Sequence, residues 1–185
     1  MLHQAPRRPG SRPGPRGVVT SDTVRRSRRL VRLALLPVAV VLLAGCGGAV
    51  EVDAPDLSAT ERERCDALLD DLPEELFGQE RREVDPADAP AAAWGDPPVV
   101  LLCGVDTPEE YDQFAACSPI GGAGWFMPDS QLRERTGPVE ITAMSHTPRV
   151  QLVVPAEQRD NGPDSALNQL GPLVVEHLDE TLPCH

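Results

Sequence analysis

An apolar run of twelve residues, Leu33 to Ala44, divides this chain and decides which part can belong to a fold. Thirteen residues separate Arg32 from Cys46, and Pro37 interrupts them. A permanent spanning helix needs roughly 20 apolar residues, so this run is too short to remain in a membrane. It has the length of a signal-peptide hydrophobic region, with Arg25-Arg26-Ser27-Arg28-Arg29 ahead and small residues behind. The charge changes at the same place. Residues 1–45 carry nine Arg against one acid, Asp22, a net of +8; residues 46–185 carry eight Arg against 28 acids, a net of −20, with no Lys anywhere. Such asymmetry marks a targeting leader ahead of a working domain. A surface at −20 repels phosphate backbones, so no nucleic acid is expected as a partner.

The end of the apolar run reads Leu43-Ala44-Gly45-Cys46. It resembles the lipobox of bacterial lipoproteins, in which a diacylglycerol joins the Cys thiol and cleavage falls just before it. The resemblance implies lipidation at Cys46 and a mature chain of 46–185, held by its acyl chains on the outer face of the cytoplasmic membrane. Two chains, at about 0.8 kcal/mol per buried CH₂, suffice for stable anchoring where one does not. Residues 1–24 are long for such a leader, which suggests translation from Val19 or Val24, with a long basic n-region as the alternative. Ser27-Arg28-Arg29-Leu30-Val31 partly resembles a twin-arginine signal, but Arg32 stands where an apolar residue is usual, and general secretion is favoured.

The chain thus divides into a leader and signal peptide (1–45), a tether (46–57) and a single domain (58–185). Ser58-Ala59-Thr60-Glu61 is a capping box. Cys65, Leu68, Leu69 and Leu72 follow at helical spacing, and Pro73 stops the helix. Residues 78–93 are polar and read as a loop. Val99 to Val105 is an unbroken apolar run, expected as a strand buried on both faces. Thr107-Pro108-Glu109-Glu110 signals a second, short helix to about Ala116. Ile120 to Phe126 reads as one glycine-bent strand. Val139, Ile141, Ala143 and Val150, Leu152, Val154 alternate with polar residues on either side of a Ser145-His146-Thr147-Pro148 turn, which predicts a hairpin. Leu167, Leu170, Val174 and Leu178 mark a C-terminal helix that Pro172 should kink or restart. The expected class is α+β, a small, mainly antiparallel sheet with N-terminal and C-terminal helices packed on it.

Several segments of this chain, taken together, resemble the DUF3515 family of actinobacterial lipoproteins. They are the Cys65 to Pro73 helix, the block Ala93-Trp94-Gly95-Asp96-Pro97-Pro98 with its strand to Cys103-Gly104-Val105, the Gly122 to Phe126 segment, and Thr147-Pro148-Arg149-Val150 leading to Val154-Pro155. The resemblance covers nearly the whole mature domain. It implies location and architecture, and no chemistry.

After lipidation an even set of four Cys remains, and an exported chain is expected to pair them. Three pairings are possible. Cys65 lies in the apolar stripe of the first helix and Cys103 is in phase with Val99 and Leu101, which favours Cys65–Cys103 with Cys117–Cys184.

Catalytic signals are thin. His146 is expected in an exposed turn, and the adjacent Ser145 and His146 are not expected to form a nucleophile–base pair. No Walker loop, dinucleotide fingerprint or zinc-ligand spacing is present, so no catalytic residue, cofactor or metal is assigned. The acids Asp66, Asp70, Asp71, Glu74 and Glu75 read as a solvated helix face, with weak Ca²⁺ binding as the alternative. Trp94 and Trp125 are two of only six aromatic residues. They read as core filling, or alternatively as a contact surface with Asp96 and Arg149. The expected function is a non-enzymatic domain binding an envelope protein or small ligand, with an enzyme acting on cell-wall material as the alternative.

Overall fold

A computed structural model describes residues 48–112 and 114–181; the leader, Cys46 and Cys184 lie outside the described residues. The chain opens with β1 (Val50–Glu51), α1 (Ala59–Asp70), β2 (Glu75–Leu76), β3 (Gln79–Arg82), β4 (Val84–Asp85), β5 (Ala91–Trp94) and β6 (Val99–Cys103). It continues with β7 (Ser118–Ile120), β8 (Ala123–Phe126), α2 (Asp129–Arg133), β9 (Val139–Ala143), β10 (His146–Thr147) and β11 (Val150–Val154). A 3₁₀ turn (Ala156–Asn161), α3 (Pro163–His177) and β12 (Asp179–Glu180) complete it. Eight strands form one sheet in the order β2-β3-β5-β6-β11-β9-β8-β7, with every neighbour antiparallel. The class is α+β, and the sheet is wider than the expected small one.

The helix α1 starts where the capping box places it. Ser58 Oγ accepts from Glu61 N and the Glu61 carboxylate accepts from Ser58 N, so two otherwise unpaired amides are satisfied. Its buried Cys65 and Leu68, and Leu72 just beyond its end, join the core with Leu167, Leu170 and Val174 of α3. They cover Trp94, Val99, Leu101, Cys103, Ile141, Val150, Leu152 and Trp125. Alternation is strict on the two central strands: Val99, Leu101 and Cys103 are buried while Val100 and Leu102 are only half-buried, and β11 repeats the pattern. The run from Val99 is therefore closed on one face only, not on both. Cys65 and Cys103 form a disulfide, with Cα atoms 5.7 Å apart, so the expected phase match is realised. Cys117 is also disulfide-bonded.

Several local expectations are corrected by the structure. Residues 78–93 form three strands and not a loop, because β3 (Gln-Glu-Arg-Arg) and β5 (Ala-Ala-Ala-Trp) pair through backbone groups that their side chains do not advertise. The Thr107 signature yields only a turn closed by Tyr111 N donating to Pro108 O. Capping without an apolar face is too little for a short helix, and Phe114 beyond it is 85% exposed. The Ile120–Phe126 segment is a hairpin: Gly121 and Gly122 both have positive φ (61° and 88°), as a two-residue turn of the primed type requires. Gly121 also lets α3 approach closely, since a Cβ there would lie 2.8 Å from Leu167 O. The helix α3 runs through Pro172 without restarting. Finally, the expected tether contributes to the fold. Val50 pairs in parallel with Val84 and is buried, and Leu57 packs against the core. Among the described residues no helix is long and apolar enough to cross a membrane.

Candidate functional site

The four residues singled out as a contact surface do not converge. Trp94 and Trp125 are completely buried. Between β5 and β8 stand β6, β11 and β9, four strand spacings or about 19 Å. Each indole N–H is satisfied inside the protein, Trp94 by Pro73 O at 2.9 Å and Trp125 by Ile120 O at 3.0 Å. Neither ring presents a face for stacking on a ligand, and both are core. Asp96 is exposed in the turn before Val99, at one end of β6. Arg149 lies opposite Gly104 at the other end, its carbonyl accepting from Gly104 N at 2.7 Å. Five residues of strand, about 17 Å, separate the two positions. Of the expected surface only Arg149 and Asp96 remain reachable, and they remain apart.

The Ser145–His146 turn also corrects its expectation. Ser145 and His146 are 5% and 4% exposed, because the C-terminal segment folds over them: β12 pairs with β10, and Thr181 N donates to Ser145 O. Adjacent in sequence, the two side chains nevertheless meet, with Ser145 Oγ 2.8 Å from His146 Nδ1. Ser145 Oγ also accepts from Gly124 N at 2.7 Å. The Ser145 hydroxyl thus joins the Gly124 amide to the His146 ring. This is a clasp between β8 and β10. Five grooves on the surface of the described residues are lined by other side chains. Nothing in the sequence marked this clasp, since a Ser-His-Thr-Pro stretch reads as an ordinary turn until a distant strand covers it.

Burial pushes the His146 imidazole below its ordinary range, against the weaker opposing pull of Glu180. A histidine with a lowered folded pKa binds its proton more readily when unfolded. Its stabilising contribution is therefore full above about pH 6.5 and falls as pH drops through that value toward the folded pKa. The melting temperature should be lower at pH 5 than at pH 7.5, and His146→Gln should flatten the slope across this interval. An unchanged slope in the variant would show that other groups carry it.

Other charged side chains are mostly committed to holding elements together. Arg81 donates to Leu69 O and Leu72 O at the C-terminal end of α1, and its guanidinium carbon stands 6.0 Å from the centre of the Trp94 ring. Arg159 donates to the carbonyls of Gln131, Glu134 and Gly137. Arg64 pairs with Asp179 at 2.8 Å; His177 Nε2 stands 2.8 Å from Asp71 Oδ2, though not in hydrogen-bonding alignment. Asp66 and Asp70 line an open groove of about 700 Å³ with Arg62, Arg81 and Asp88. No set of three metal-ligating side chains occurs among the described residues. Arg149 stands apart from this pattern, because its Nε is buried with no hydrogen-bond partner.

No curated protein and no solved structure matches the chain. A family model described as a protein of unknown function, DUF3515, matches residues 31–182. That match takes in every described residue of the fold, and the chain belongs to the DUF3515 family.

Proposed function

We propose that the chain is exported, lipidated at Cys46, and works on the outer face of the cytoplasmic membrane as a binding domain for an envelope protein or small ligand. The observation that carries this reading is the run from basic cluster through short apolar stretch to Leu43-Ala44-Gly45-Cys46, in register for a lipoprotein signal. The Cys65–Cys103 bridge supports it, because disulfides persist in oxidising compartments and are rare in the cytosol. The binding role rests on the contrast between a well-filled core and half-buried Arg149, whose Nε has no hydrogen-bond partner among the described residues.

Cell fractionation tests the anchor. The wild type should sediment with membranes at the mass of residues 46–185 plus a diacylglycerol, whereas Cys46→Ala should be soluble or retain the leader. A Cys46→Ala protein that remains membrane-bound at mature size would overturn the lipoprotein reading. Cross-linking in intact cells followed by affinity capture tests the binding role. Its expected result is a reproducible cross-linked partner or ligand on the wild type.

A further inference from the structure

The described residues begin at Gly48, two positions after Cys46. Two residues span at most about 7 Å when fully extended. From Gly48 onward the chain is fastened to the domain. The Gly48 carbonyl accepts from Arg82 Nη2 at 2.6 Å, and Arg82 Nη1 donates to Gly95 O at 2.9 Å. Val50 N donates to Glu83 O at 2.8 Å and Val52 N to Asp85 O at 3.0 Å, so β1 lies along β4 with Val50 buried. A free spacer over residues 46–57 would reach up to about 40 Å. Here such a reach would require stripping β1 from β4 and bringing Val50 into water.

Acyl chains on Cys46 hold that residue at the boundary of the hydrocarbon. The headgroup layer above the boundary is about 5–8 Å thick on each side of a bilayer. The reach of two residues therefore does not clear it, and Gly48 stays within the headgroups or at their outer edge. The corner of the domain around Gly48 carries Ala49, Arg82, Glu83 and the turn at Gly95 and Asp96, with Ala49, Glu83 and Asp96 exposed. Arg82 is committed to two carbonyls, and the exposed Glu83 and Asp96 are acidic, so charge does not draw this corner to headgroup phosphates. Chain length alone brings it there.

We propose that the corner formed by Gly48, Ala49, Arg82, Glu83 and Asp96 is the surface on which the domain meets the bilayer, seated among the headgroups by its fastened N-terminal segment. The inference rests on lipidation at Cys46 and adds which part of the domain the membrane occupies. The far edge of the sheet, β7, stands six strand spacings from β3, about 29 Å away. A partner is then met on faces other than this corner, close to the membrane plane.

The test uses the intact lipoprotein in nanodiscs of phosphatidylcholine doped with a gadolinium-chelating lipid, with the amide signals followed by NMR. Broadening should be strongest at Ala49, Glu83 and Asp96 and several-fold weaker at Ser118 and Ile120 of β7. A Gly-Ser insertion of about twelve residues between Gly47 and Gly48 would let the domain stand off by about 20 Å. It should remove most of the broadening at the corner and leave the melting temperature unchanged. Broadening at β7 equal to that at the corner overturns the proposal, as does a corner whose signals stay sharp. An insertion that leaves the corner fully broadened also overturns it, because chain length then does not set the contact. Wild type that enters the nanodiscs with a sharp corner removes only this seating. Wild type that fails to enter them, as Cys46→Ala should fail, removes the lipoprotein reading itself.

Discussion

Replacing Cys65 and Cys103 together by Ala is expected to destabilise the domain by about 4 kcal/mol, which is what closing a loop of this length removes from the unfolded chain. The two cysteines are 38 residues apart, and between them lie the rest of α1 and the strands β2 to β5. The bridge ties α1 to β6, one of the two central strands, so the constraint acts on both ends of the N-terminal half of the sheet. Substituting both partners matters. A single Cys→Ser change would leave a lone thiol in a site that is fully buried, confusing loss of the cross-link with the presence of an unpaired group. For a domain of this size the melting temperature should fall by roughly 10–15 °C. Urea unfolding of the lipoprotein under non-reducing conditions would measure it. A loss under about 1 kcal/mol would mean that the unfolded chain is already compact around these residues, so that the loop costs little to close.

How this bridge could be read in advance, while other features could not, follows from the range of the interactions involved. The position of Cys65 on α1 is a matter of helical period, and the side on which Cys103 falls is a matter of strand alternation. Both are local, and they needed only one assumption, that the helix covers that face. The capping box at Ser58 and Glu61 and the β9–β11 pairing are local in the same sense. The strands β3 and β5 carry no such mark. Gln79-Glu80-Arg81-Arg82 is polar because its side chains reach out to cap α1 and to hold the carbonyls of Gly95 and Gly48. Ala91-Ala92-Ala93 is small because all three side chains are enclosed. Propensity describes neither situation.

The candidate site was harder still. Whether a scarce tryptophan fills a core or faces a ligand depends on which strands stand beside it, and that order is set by pairings far apart in sequence. His146 was misplaced for the same reason, since the residues that cover it are Asp179 to Thr181. Scarcity of positive charge is what marks Arg149 in the sequence. That its Nε is buried with no hydrogen-bond partner among the described residues is a property only of the assembled fold.

Trp94→Ala should cost about 3–5 kcal/mol, the range for removing a large ring from a closed core, and in doing so should separate packing from contact at this position. The ring has no exposed surface and lies between β5 and the end of α1. It also acts at two further points. Its indole N–H holds the carbonyl of Pro73, just beyond the end of α1, and its ring borders Arg81, whose guanidinium holds the carbonyls of Leu69 in that helix and Leu72 after it. Losing the ring therefore opens a cavity and loosens the seat of Arg81 at once. Trp94→Phe distinguishes the two contributions. Phenylalanine keeps most of the apolar contact but leaves the Pro73 carbonyl unpaired, so its cost should be smaller, about 1–3 kcal/mol. Urea unfolding of both variants measures the difference. A destabilisation by Trp94→Ala of less than about 1 kcal/mol, together with loss of ligand or partner binding, would return this residue to the contact surface from which its burial removes it.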